Sequence, residues 1–168
     1  MRILFIAQSG FEDTELLCPK YRLEEEGFYV DIAAPDWGEL KGKRGYIVSA
    51  NLEIGEAEPE AFDALFLPGG KAAEKLAMHE AVIKFIREFS ELDRPIAAIC
   101  HGPLVLAAAG ILNGRRATCY YKVSYKLEEA GAIFDDSPVV VDGKIVTSRQ
   151  PRDLPLFMKE VVKMLKAQ

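Results

Sequence analysis

Short, near-continuous apolar runs alternate along this chain with longer amphipathic stretches, and that alternation predicts its elements. Residues 2–7 (RILFIA) have the pattern of a strand covered on both faces of a parallel sheet. After a glycine and an acidic cluster, residues 12–26 space Leu16, Leu17, Tyr21 and Leu23 as a helix does. Gly27 is its C-cap, and Pro19 is expected to disturb its early turns. Residues 28–34 read as a second strand, so strand, helix and strand follow within about thirty residues, a right-handed parallel unit. Residues 38–54 alternate less regularly around several glycines and suit short antiparallel strands. Residues 62–67 are another buried strand with the apolar run Ala64-Leu65-Phe66-Leu67, stopped by Pro68-Gly69-Gly70, after which helical periodicity resumes through Leu92. Residues 95–99 form a further strand, and 104–109 a helix of strong helix formers closed by Gly110. A strand near 117–121, a helix over 124–130, a hairpin over 139–147 turning at Asp142-Gly143 and an amphipathic helix over 154–166 complete the order. With no repeat or linker, residues 1–168 read as one doubly wound α/β domain, a mostly parallel sheet with helices on both faces.

Composition adds exclusions. A 49% hydrophobic content gives one domain a sizeable core, and 28% charged residues of both signs exclude disorder. With 21 basic against 26 acidic residues the net charge is −5 and unsegregated, which argues against a nucleic-acid partner. Lys41, Lys43 and Arg44 read as a solvated hairpin tip, because no phosphate cradle accompanies them. The first apolar run is too short for a membrane span or secretory signal, so neither a membrane nor export is expected. Cys18, Cys100 and Cys119 form no C-x-x-C pair and suit a reducing, cytoplasmic compartment. Only His79 and His101 could add imidazole ligands, so neither a metal nor another cofactor is expected.

In an open parallel sheet ligands sit beyond the carboxyl ends of the strands. Cys100 follows a strand and precedes a helix there, the setting of a nucleophile elbow. The helix dipole and a nearby donor are expected to lower its thiol pKa. Cys18 and Cys119 lack that setting and read as inert. His101 is its neighbour in sequence, and residues so placed cooperate only on a strained turn. The pair alone leaves open whether His101 is a general base or a histidine that merely starts a helix. The amides of Gly69 and Gly70 are candidate oxyanion donors, although P-G-G by itself marks any tight turn. Glu12, Asp13 and Glu15 are explained by helix-dipole electrostatics unless one turns inward, where burial would keep it protonated and able to donate to a thiolate. The residues themselves do not say which.

The sequence A-I-C-H-G-P at 98–103, with L-P-G-G at 67–70, G-F-E-D-T-E-L at 10–16 and S-R-Q-P-R-D-L at 148–154, resembles the PfpI-type protease and deglycase branch of the ThiJ/PfpI superfamily. The resemblance extends over essentially all 168 residues and implies a flavodoxin-like fold of the class I glutamine amidotransferase-like kind. It implies that Cys100 is the nucleophile, Glu15 the inward carboxyl bonded to it, and His101 the family histidine. Gly70 and the His101 amide then match the oxyanion site, and Tyr120 a tyrosine near the nucleophile. Glu74 matches an acidic residue that in hexameric members reaches the histidine from an adjacent subunit, completing a Cys-His-Glu arrangement. The expectation is therefore a cytoplasmic homo-oligomer, a dimer or a hexamer built from dimers. It would hydrolyse peptides or amides, or act as deglycase and glyoxalase on methylglyoxal and its protein adducts. The rival expectation is a redox sensor or stress-response chaperone working through Cys100 oxidation. The sequence departs from the branch at Gln150, commonly histidine, at Arg152, and at Tyr125-Lys126, commonly an acidic pair.

Overall fold

A computed structural model describes residues 1–168 as the single α/β layer structure that the pattern predicts. Its main sheet is built from β1 (Arg2–Ile6), β2 (Tyr29–Ala34), β5 (Leu52–Glu53), β6 (Ala64–Leu67), β7 (Ile96–Ile99), β10 (Val139–Asp142) and β11 (Ile145–Ser148). Two small pairs lie outside it, β3 (Gly38–Lys41) with β4 (Ile47–Ala50) and β8 (Arg116–Ala117) with β9 (Ile133–Phe134). The seven strands of the main sheet take the order β10-β11-β7-β6-β1-β2-β5. All neighbours pair in parallel except β10 with β11, the expected hairpin. Strand alternation sends Leu4, Ile6, Leu65, Leu67, Ile96 and Ala98 to one face and Ile3, Phe5, Ala64, Phe66, Ala97 and Ile99 to the other. The first face is covered by α2 (Ala72–Leu76), α3 (Glu80–Ser90), α4 (Pro103–Ala108) and α5 (Ser124–Glu129), the second by α1 (Asp13–Glu25) and α6 (Leu154–Lys166). The rings of Phe5 and Phe66 stack across neighbouring strands with centroids 4.4 Å apart, and Phe157 of α6 closes on Phe66 at 5.7 Å. Coverage on both faces is why the strands read as unbroken apolar runs.

Three local expectations change. Pro19 stays inside an unbroken α1, because it lies on the buried stripe Leu16, Pro19, Leu23, where packing on the sheet outweighs the missing hydrogen bond. The helical stretch after Gly70 is two helices, since His79 takes an extended conformation between α2 and α3. The strand expected near 117–121 shrinks to β8, which pairs with β9 and does not join the ladder of the main sheet. Thr118 N–H turns instead to Thr147 Oγ1 at 2.9 Å, and Tyr120 N–H to the Cys100 carbonyl at 2.9 Å. The antiparallel pair β3 and β4 is as expected and carries Lys43 and Arg44 at its exposed tip. No helix is long and apolar enough to cross a membrane.

Candidate active site

Cys100 ends β7 and enters α4 through a turn that forces its φ to +62°, the left-handed region that non-glycine residues avoid. Such strain persists only where the surroundings fix it. Here the Cys100 N–H donates to the Ser148 carbonyl at 3.0 Å, its carbonyl accepts from Tyr120, and Gly102 N–H returns to Ile99 at 2.8 Å. A β-carbon at Gly102 would press on the Leu67 and Ile99 carbonyl oxygens, so the turn needs glycine there. The sequence motif contains Gly102 but does not reveal this role. The strained turn lets these neighbours in sequence face each other and brings His101 Nδ1 to 3.3 Å from Cys100 Sγ.

The imidazole stacks on Tyr120, with centroids 5.3 Å apart at 28°, and its Nε2 lies 3.8 Å from a Glu74 carboxylate oxygen. Both residues belong to the same protomer, so the geometry does not require the orienting carboxylate to come from a neighbouring subunit. Burial holds His101 below the usual imidazole range, Glu74 opposing and the Lys126 and Lys43 charges reinforcing. An N–H directed from Nε2 to Glu74 leaves the Nδ1 lone pair facing the thiol.

Glu15 is the inward carboxyl, completely buried on the first turn of α1. Its Oε2 accepts from Gly69 N–H at 3.0 Å, while Oε1 meets no protein donor. Burial pushes its pKa to about 8, despite the opposing hydrogen bonds to Cys100 and Gly69. The neutral carboxyl therefore has an O–H to give, and the sulfur is the neighbour that can take it. The other two acids point elsewhere: Glu12 pairs with Lys43 at 3.2 Å, and buried Asp13 accepts from the Arg44 and Tyr46 amides at 2.8 and 3.0 Å.

The loop after β6 supplies the remaining wall. A β-carbon on Gly69 would collide with Glu15 Oε2 and Cys100 Cβ, and Gly70, at φ +88°, bridges to Phe11. The Gly70 and His101 amides both favour the Cys100 thiolate. The expected lowering of the thiol pKa is nevertheless corrected: burial first, and Glu15 when ionised, push it up by more than those amides recover. The site thus holds Cys100 as the protonated thiol and not as a standing thiolate. Cys119 is buried, its thiol pushed up to about 12 chiefly by burial, and Cys18 is exposed on α1, away from the elbow. Gln150, with its amide oxygen turned to Arg152, accepts from that guanidinium at 2.7 and 2.9 Å, so two of the departing residues satisfy each other. No group of three or more His, Cys, Asp or Glu side chains is placed to hold a metal ion.

Similar sequences and the same fold occur in known proteins. Deglycase PfpI of Pyrococcus furiosus is 45% identical over 166 residues, covering 99% of this chain and 100% of that one. Deglycase PH1704 of Pyrococcus horikoshii is 44% identical over 166 residues, with 99% and 100% covered. Among solved structures, a two-domain protein of Anabaena variabilis with DJ-1/ThiJ/PfpI-like and ferritin-like domains superposes with a TM-score of 0.96 at 34% identity. That match covers 98% of this chain and 48% of the other, so this chain spans about half of the two-domain protein. The family model described as DJ-1/PfpI matches residues 1–164, and the chain belongs to the DJ-1/PfpI family.

Proposed function

We propose that the protein is a cysteine-dependent hydrolase of the deglycase type, acting on methylglyoxal and its adducts with amines and thiols. The observation that carries this reading is the strained elbow that sets Cys100 Sγ 3.3 Å from His101 Nδ1. His101 takes the thiol proton through Nδ1, held by Glu74 at Nε2, and the sulfur attacks the carbonyl carbon. The oxyanion that forms faces the Gly70 and His101 amides, while neutral Glu15 adds no repelling charge. On the aldehyde carbon of methylglyoxal this gives an enzyme-bound hemithioacetal, and an adduct reaches the same species when His101 returns its proton to the departing amine or thiol as sulfur takes that place. The hydrogen on this carbon then moves as a proton to the neighbouring ketone carbon through an enediol, which makes a lactoyl thioester without an outside oxidant, and water releases lactate from sulfur. The amide-hydrolysing alternative uses the same groups. Cys100 is only 9% exposed, which favours a small carbonyl over the backbone of a folded protein. The names of the Pyrococcus relatives support the same choice.

Consumption of methylglyoxal and release of lactate by wild type and Cys100→Ser test the reading. Loss of at least about 10³-fold in kcat/KM is expected. Equal turnover by the two proteins would overturn it and leave the redox-sensor alternative.

A further inference from the structure

A cleft of about 410 Å³ opens between α2, α4 and α5, with Glu74, the partner of His101, in its lining. Ala77, Met78, Leu104 and Ala107 give it apolar surface, and Lys126 of α5 is its one basic lining residue. Lys126 is half-buried, and none of the protein's ion pairs includes it. Of the two carboxylates that also line the cleft, Glu74 is already directed to His101 and Glu129 is exposed one turn along α5. A lysine that lines a cleft and has no ion-pair partner is free to receive a substrate anion. The Lys126 charge also acts on His101, which places it within electrostatic reach of the reacting groups.

Chemistry says which part of the substrate arrives there. The general acid must stand next to the leaving group, and Glu74 lies both beside His101 and in the cleft lining, so a leaving portion held at His101 has the cleft within reach. The cleft has the size of a small-ligand site, enough for one amino-acid residue. We propose that Lys126 is a specificity residue that holds a free carboxylate on the leaving amine or thiol, so that adducts of free amino acids and other small carboxylates are preferred. It rests on the deglycase reading and names the substrate class of that site. It also gives a role to one of the positions at which the sequence departs from the PfpI-type pattern.

The test compares methylglyoxal adducts of N-acetylcysteine and N-acetylcysteinamide, identical except for the carboxylate. Wild type is expected to favour the carboxylate form by about tenfold or more in kcat/KM, as a charge-assisted hydrogen bond allows. Lys126→Met should abolish that ratio and Lys126→Arg should keep it; a ratio needs only enough folded enzyme to measure, so partial unfolding does not obscure it. The wild-type preference should also shrink with added salt. Equal use of both adducts by wild type, or an unchanged ratio in Lys126→Met, overturns the Lys126 assignment while leaving methylglyoxal turnover and the deglycase reading intact. If wild type consumes neither methylglyoxal nor either adduct faster than Cys100→Ser, both fall.

Discussion

A carboxyl group buried as fully as that of Glu15 keeps its proton far above the usual carboxylate range, and both stability and rate should register it. Between the ordinary 4.5 and about 8 the folded protein holds a proton that the unfolded form gives up. Folding is then weakened by up to about 1.4 kcal/mol for each pH unit gained across that window. Glu15→Gln keeps an N–H donor toward the sulfur and removes the titration. Urea unfolding should show the variant more stable than wild type at pH 8, with the gap closing toward pH 4.5; parallel curves would contradict the assignment. The same variant should lose the alkaline fall of methylglyoxal kcat/KM expected near pH 8, where wild-type Glu15 ionises beside the sulfur. The acidic limb, set by His101 below its ordinary 6.5, should remain. Gly102 makes a separate case. Its missing β-carbon clears carbonyl oxygens of β6 and β7 that cannot swing aside, so Gly102→Ala should cost about 1–3 kcal/mol in urea unfolding and depress activity. Unaltered stability and turnover would mean that the elbow tolerates a side chain. At this scale the sequence is only partly legible. Glu12, Asp13 and Glu15 are alike in type and differ in direction around one helix start, which residue type alone does not reveal; the family resemblance selects Glu15.

Among elements, strands are the most legible, because burial on both faces leaves apolar runs that no amphipathic helix mimics. What fails is local propensity opposed by packing, at Pro19, and pairing replaced by single hydrogen bonds, at Thr118 and Tyr120. The hairpin β3–β4 belongs to neither case. It lies outside the main sheet and is pinned around the start of α1 by backbone bonds from Gly10 to Lys41 and from Lys43 to Phe11, and by the Asp13 carboxylate on Arg44 and Tyr46. Asp13 therefore couples the hairpin to the segment that carries Glu12 and Glu15. Hydrogen bonds to a charged acceptor contribute about 1.5–3 kcal/mol, so Asp13→Ala should speed amide hydrogen exchange at Arg44 and Tyr46 by about 10 to 100-fold. Amides in β1 and β6 should exchange as before, and unchanged rates at the two tip amides would show that other contacts hold the hairpin.

Over the whole molecule, the open question is how many protomers make one site. The sequence offers a single imidazole for Cys100, and the family resemblance implies that its carboxylate, Glu74, comes from a neighbouring subunit. The fold explains the proximity of Glu74 to His101: α2 follows the Gly69-Gly70 turn beyond β6, and α4 follows Cys100 beyond the adjacent strand β7, so both helices start at the same sheet edge. Glu74 then lies 3.8 Å from His101 Nε2 within one protomer. Mixing two disabled variants separates the possibilities. Glu74→Ala is expected to lower kcat by about 10²-fold by freeing the imidazole, and Cys100→Ser to abolish turnover. Co-refolding the two in equal amounts should give no more activity than the sum of the parts when each Glu74 serves its own His101. If the carboxylate crosses an interface, sites pairing Cys100 of one protomer with Glu74 of another would form, and activity would return in proportion to the mixed assemblies. Such recovery would show that the contact within one protomer is not the one used in catalysis.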